Sequence, residues 1–263
     1  MDLTLTEGDL SADWDEIQRG WDEQQAAYLP DREERFAAML DVVEAVCGTK
    51  PRVLDLACGT GSITRRLLER LPDATSVALD LDPALLRIAE RTFSGDSRVR
   101  IVAADLGIPG WQEVVREAVP GGEVDAVLTA TALHWLPEER IGTLYGELAG
   151  VVRSGGVFVN ADHMVDPGLP TVSERVDELR RIRREALYAD SGVLSWDAWW
   201  SELRQHPELA DAVAERDEVF SGSHSSESMP SVERHQEFLR AGGFAEVGVI
   251  WRGLTDAAVL GLR

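Results

Sequence analysis

Two periods alternate along this chain. From residue 53 onward, short apolar runs that end on a glycine or an acid are separated by stretches with apolar residues three or four apart. Residues 53–57 read as a buried strand, and residues 63–71 as a helix with Ile63, Leu67, Leu68 and Leu71 on one side. Residues 75–80 are a second strand. The next helix starts at Asp82-Pro83, where Asp82 suits an N-cap and Pro83 the first turn. Residues 99–104, 124–130 and 157–162 are further strands. Residues 111–119 and 138–152 are helices, the second closed by the turn Arg153-Ser154-Gly155-Gly156. Strands that are apolar on both faces, alternating with helices, predict a doubly wound α/β fold with a mostly parallel sheet.

Two regions depart from that rhythm. Residues 1–20 are polar and acidic, with Trp14 and Ile17 as isolated anchors; residues 21–46 read as helix broken at Pro30, with Phe36, Met39, Leu40, Val43 and Val46 in helical register. Residues 166–230 interrupt the alternation with a basic amphipathic helix (173–188), a helix opening on Trp196, Trp199 and Trp200, a third over 207–220, and a serine-rich loop (221–228) whose His224 is too isolated to interpret. Packing is the plainer role for the tryptophans, and a solvated face for Arg180, Arg181, Arg183 and Arg184. A helix at 231–241 and two strands, 246–251 and 256–262, complete the chain. We expect an N-terminal helical lid (1–46), a core (47–165 with 231–263) and a helical insertion capping the substrate side (166–230).

The formal charge is 26 − 47 = −21, which disfavours nucleic acid and favours a small-molecule substrate. Two cysteines suggest neither a disulfide framework nor a metal site. No signal peptide or membrane-spanning run is visible, so a cytoplasmic protein is the simplest reading. A homodimer is left open.

Candidate chemistry sits where strands end. Asp55-Leu56-Ala57-Cys58-Gly59-Thr60-Gly61 forms a glycine turn feeding a helix, with an acid four residues before its first glycine; the third small residue of a dinucleotide fingerprint is missing. The next strand ends on Asp80, 19 residues past Gly61, where a carboxylate can accept from a ribose diol. The third ends at Asp105. This D-x-A-C-G-T-G series, with Ala132-Leu133-His134-Trp135-Leu136 after the fourth strand and Gly155 to His163 around the fifth, resembles class I S-adenosylmethionine-dependent methyltransferases, in particular the small-molecule group akin to trans-aconitate methyltransferase. The resemblance implies a Rossmann-like seven-stranded sheet of order 3-2-1-4-5-7-6, with S-adenosylmethionine as cofactor. It places Arg35, Asp55, Ala57, Gly59, Gly61, Asp80, Leu81, Asp105, Leu106 and Thr129 around that cofactor, Arg35 by its spacing from Tyr28. His134 is a candidate base or substrate-orienting group, or packs against the cofactor; His163 lies at the rim beside Asp162, in a catalytic or a capping role. No metal is expected. The implied reaction is methyl transfer to a small molecule, with oxygen favoured over nitrogen or carbon. A cyclase or lyase on the same scaffold, or a non-catalytic binding partner, is the alternative.

Overall fold

The computed structural model describes residues 7–221 and 228–263, so residues 222–227 of the serine-rich loop, His224 among them, lie outside the described residues. Seven strands form one sheet in the order β3-β2-β1-β4-β5-β7-β6. They are β1 (Arg52–Leu56), β2 (Thr75–Asp80), β3 (Val99–Ala103), β4 (Val124–Ala130), β5 (Val152–His163), β6 (Glu246–Arg252) and β7 (Asp256–Leu262). The first five run parallel; β7 is antiparallel to both β5 and β6.

The central strands are apolar on both faces because both faces are covered. Leu54, Leu56, Val77, Leu79, Val127 and Phe158 pack against α5 (Trp111–Ala118), α6 (Glu138–Leu148) and α10 (Val232–Ala241). Their neighbours Val53, Ala126, Leu128, Val157 and Val159 point the other way, against α2 (Arg32–Cys47) and α3 (Ser62–Arg70). A third cluster joins α1 (Glu7–Tyr28) and α4 (Pro83–Thr92) to α8 (Trp196–Leu203) and α9 (Ala210–Val219). There Trp14, Trp21, Trp199 and Trp200 are all buried, so two of the three insertion tryptophans pack the cover onto α4, while Trp196 stays exposed. In contrast, α7 (Pro170–Ser191) is largely exposed, and Ser173 is its one buried residue.

Of the boundaries that differ from the sequence reading, among them the end of α6 at Leu148 rather than 152, two change the picture. The acidic N-terminal stretch is helical from Glu7, because Trp14, Ile17 and Trp21 form one apolar stripe. β5 begins at Val152 rather than 157. The Gly155-Gly156 pair is an irregularity within the strand, not a turn before it: Gly155 N–H donates to the Arg263 carbonyl at 2.7 Å, and Arg263 N–H to the Gly156 carbonyl at 2.9 Å.

A buried polar chain ties α6, β5 and α10 together. Asn160 Nδ2 donates to the Tyr145 hydroxyl at 3.0 Å, and that hydroxyl meets His235 Nδ1 at 2.7 Å. Burial pushes the His235 imidazole down to about 4, so the folded protein holds it neutral. The unfolded chain takes up that proton near pH 6.5, so this stability is complete above 6.5 and is lost as pH falls toward 4. The full loss is on the order of 3 kcal/mol. Urea unfolding at pH 7 and pH 5 should show the drop, and His235→Phe should shrink it.

Candidate active site

The glycine turn is shaped by backbone geometry. β1 ends at Leu56, and the chain then enters the left-handed region at Ala57 (φ 56°), Gly59 (φ 57°) and Gly61 (φ 84°). A Cβ on Gly61 would lie 2.5 Å from the Phe93 ring, so glycine is required there. Gly61 is also the N-cap of α3 and has no side chain to offer. Asp55 takes over from behind: its Oδ2 accepts from Thr64 N–H at 3.0 Å and from the Thr64 hydroxyl at 2.7 Å. Burial raises the Asp55 carboxyl to about 7 against those hydrogen bonds.

Asp80 closes the turn from the neighbouring strand. Its Oδ2 accepts from Gly59 N–H at 2.7 Å; its Oδ1 accepts from Leu81 N–H at 2.7 Å and Asp82 N–H at 2.9 Å. Burial raises its pKa, and those three donors act in the opposite sense. A carboxylate offers about four acceptor sites, so one remains for a ligand hydroxyl. Asp82 behaves as the capping acid: it accepts from Ala84 and Leu85 N–H at 3.0 and 3.2 Å, and from Arg216 Nε of α9 at 2.7 Å. Asp105, just past β3, holds Gly107 N–H at 2.6 Å. Leu106 turns its side chain into the core, and its carbonyl takes Arg140 Nε at 2.6 Å. Thus Gly59, Asp80 and Asp105 lie at the carboxyl ends of adjacent strands β1, β2 and β3.

The N-terminal helices close over this edge. The Trp21 indole is 3.5 Å from where a Gly59 Cβ would stand. Asp22 accepts from the Ser62 hydroxyl and from Arg32 Nη1, both at 2.7 Å, with Arg66 at 3.6 Å. Burial opposes its ionisation, but the charges of Arg32 and Arg66 hold its pKa below the usual value. Arg35 pairs with Asp31 at 2.7 Å and Asp256 at 3.3 Å, and its guanidinium lies 4.8 Å from the Trp251 ring centre. Its Nε and Nη1 are buried without a partner, as are Asp55 Oδ1, Thr60 Oγ1 and Thr129 Oγ1. Such orphans are costly unless a ligand completes them. A free guanidinium donor of Arg35 suits a carboxylate oxygen and the remaining acceptor site of Asp80 suits one ribose hydroxyl, so the residues present fit the cofactor that the resemblance implies. Tyr28, expected to accompany Arg35, is instead half-exposed, with the Arg184 guanidinium 4.3 Å from its ring centre.

Past β4 the chain passes through Thr131 at φ 49° into a single 3-10 turn, Leu133–Trp135. That turn buries His134 and leaves Trp135 half-exposed. His134 Nδ1 lies 2.7 Å from Asp162 Oδ1, and His134 N–H donates to Asp162 Oδ2 at 3.2 Å. His163 N–H also donates to Asp162 Oδ1, at 2.8 Å. Burial works against the Asp162 charge, yet the hydrogen bond and charge of His134 hold its pKa low. The His163 ring centre is 5.0 Å from that of His134, and its Nδ1 meets Asp256 Oδ1 at 2.7 Å. Asp256 is held in turn by Arg180 Nη1 at 3.2 Å and the Thr255 hydroxyl at 2.7 Å.

His134, Asp162 and His163 bring ligand-type atoms within 4.8 Å of one another, a grouping that could hold a metal ion. Asp162 already accepts from three donors, however, two of them backbone N–H groups and the third the His134 ring, which leaves it one acceptor site. The arrangement is that of a carboxylate orienting an imidazole. Dialysis against EDTA should therefore leave turnover unchanged.

Sequence reasoning missed Asp22, Arg66 and Asp256, and it placed Arg180 on a solvated face, whereas Arg180 Nη1 bonds the Thr255 hydroxyl and Asp256. Asp256 reads locally as the first residue of a strand; only the antiparallel pairing of β7 with β5, His163 opposite Asp256, brings the two together.

Comparison with known proteins agrees with this geometry. Residues 53–156 match a family described as a methyltransferase domain. Trans-aconitate 2-methyltransferase of Azoarcus sp. is 34% identical over 139 residues, 52% of this chain and 49% of that protein. The Mycobacterium tuberculosis protein of the same name is 36% identical over 158 residues, 58% of this chain and 54% of that one. A malonyl-[acyl-carrier protein] O-methyltransferase of Halalkalibacterium halodurans is 31% identical over 113 residues, 42% of this chain and 40% of that protein. The chain thus spans about half the length of the curated relatives it matches. Among solved structures, human N-acetylserotonin methyltransferase in complex with SAM superposes with TM-score 0.54 at 15% identity, covering 98% of this chain and 56% of that one. An O-methyltransferase family protein from Burkholderia thailandensis gives 0.54 at 20% identity, covering 99% and 74%. These two likenesses show the fold. Among the described residues no helix is long and apolar enough to cross a membrane.

Proposed function

We propose that this chain, whose residues 53–156 match a methyltransferase domain, transfers a methyl group from S-adenosylmethionine to an oxygen of a small molecule. When bound, S-adenosylmethionine supplies an electrophilic methyl on a sulfonium. Asp80 accepts from one ribose hydroxyl, Asp105 takes the adenine amine, and a free donor of Arg35 meets an oxygen of the methionine carboxylate. Asp55 and Gly59 to Gly61 keep the turn in shape from behind. Residues 1–46 act as the lid and residues 166–230 as the cap over a core of 47–165 with 231–263. Two free cysteines accord with a cytoplasmic setting.

The observation that carries the acceptor side is the His134–Asp162 pair at the carboxyl ends of β4 and β5, the sheet edge that also bears Gly59 and Asp80. With Nδ1–H donated to a buried carboxylate, His134 keeps Nε2 as a base for an acceptor hydroxyl. The charge of Asp162 stabilises the imidazolium that forms. Methyl transfer gains further from alignment of nucleophile, carbon and sulfur, which the closed lid and cap enforce.

The test is calorimetric titration with S-adenosylmethionine, S-adenosylhomocysteine and NAD, followed by screening hydroxylated acceptors with labelled methyl donor. Saturable binding of the first two, none of NAD, and methyl ether products support the reading. No binding of the first two would sink it.

A further inference from the structure

His134 and His163 are built alike, and one base is enough for one methyl transfer. Each imidazole has Nδ1 2.7 Å from a carboxylate that is almost wholly buried, Asp162 for His134 and Asp256 for His163. Neither Nε2 has a hydrogen-bond partner among the described residues. The rings stand 5.0 Å apart beyond two neighbouring strands, and His163 remains partly exposed, with 23% of its side chain accessible. The protein commits considerable structure to this second imidazole. Asp256 is fixed by Arg35 of α2, Arg180 of α7 and Thr255, so lid and cap both converge on the group that orients His163.

The two rings differ in their surroundings. His163 lies between two carboxylates, Asp162 and Asp256. Burial and the nearby Arg35 disfavour its charge, but the Asp256 hydrogen bond and the two acids outweigh them and raise its pKa. Its neighbours therefore favour the protonated form, in which Nε2–H is a donor aimed away from Asp256. Such a donor beside a base suits an acceptor molecule with two oxygens.

We propose that His163 binds a second oxygen of the acceptor, on the carbon next to the one that bears the methylated hydroxyl. The substrate class is then a vicinally oxygenated compound: a hydroxyl flanked by a hydroxyl, carbonyl or carboxylate. The inference rests on the O-methyl transfer reading above. In the step it describes, the reacting hydroxyl gives its proton to His134 Nε2. The oxygen–methyl bond forms as the carbon–sulfur bond breaks, and the sulfonium leaves as a neutral thioether. His163 keeps its proton and holds the neighbouring oxygen throughout.

The experiment uses pairs of probes with and without the neighbouring oxygen group, catechol against phenol and mandelate against benzyl alcohol. Each is titrated into protein saturated with S-adenosylhomocysteine. A charge-assisted hydrogen bond predicts about tenfold or greater preference for the vicinal member. In His163→Asn that preference should collapse to near unity, with binding of the single-oxygen member unchanged. Where a vicinal probe is turned over, the same variant should raise KM with little change in kcat. His163→Met, which removes the imidazole without adding a polar amide, repeats the test should the asparagine variant misfold. Equal binding within both pairs, absence of binding by every probe, or a preference that survives both variants would overturn the proposal. S-adenosylhomocysteine affinity is measured separately, so a failed cofactor reading is distinguished from a failed substrate reading.

Discussion

His134→Ala lowers kcat by about 10²–10⁴, the range that a positioned general base contributes, while S-adenosylhomocysteine affinity stays within about twofold. The imidazole sits past β4, on the acceptor side, and its partners are Asp162 and the rings of Trp135 and His163. Nothing in that set touches Gly59 or Asp80. Asp162→Asn should fall in the same range, because an amide can present N–H to Nδ1 and leave the wrong nitrogen protonated. Steady-state kinetics alongside calorimetry reads both quantities. An unchanged kcat in His134→Ala would mean an acceptor that arrives already ionised, as a carboxylate does, and would remove the base from the mechanism.

The second large effect is on the cofactor. Asp80→Ala weakens S-adenosylmethionine binding by ~1–3 kcal/mol through loss of the charge-assisted ribose bond, or roughly 5- to 150-fold. It also frees three N–H groups, including that of Gly59, so the glycine turn loosens and thermal stability falls with it. Asp82→Ala separates these contributions. It removes the α4 cap and the Arg216 contact, for a stability loss of about 1 kcal/mol or more. Its direct effect on cofactor affinity should be small. If the two variants weaken binding equally, Asp80 acts only by shaping the turn.

How much of this was legible follows from the range of each interaction. The limits of β2 and β4, the start of α8 and the Asp82 cap follow from local pattern, and the structure places them where the sequence does. The sheet order came from resemblance, and the strand pairing agrees with it. β5 was read short because Gly155-Gly156 has the local composition of a turn; only the distant Arg263 makes it strand. The pairing of His134 with Asp162, 28 residues apart, was not foreseen, although both residues had been singled out. Asp256 and Asp22 were invisible for a related reason. One depends on where β7 inserts between β5 and β6, and the other on how α1 lies across α3.

The seat of α1 on the glycine turn has an energetic consequence. A ligand approaching the open side of Gly59 must displace the Trp21 indole and loosen Asp22 from Ser62, Arg32 and Arg66. Its measured dissociation constant is then the intrinsic one divided by the fraction of molecules with the helix lifted, and each tenfold in that fraction is about 1.4 kcal/mol. Asp22→Asn, which weakens the seat, should tighten S-adenosylhomocysteine and speed its entry, as stopped-flow tryptophan fluorescence can record. Such a result would make the Asp22 contacts, rather than any group on the cofactor, one determinant of affinity.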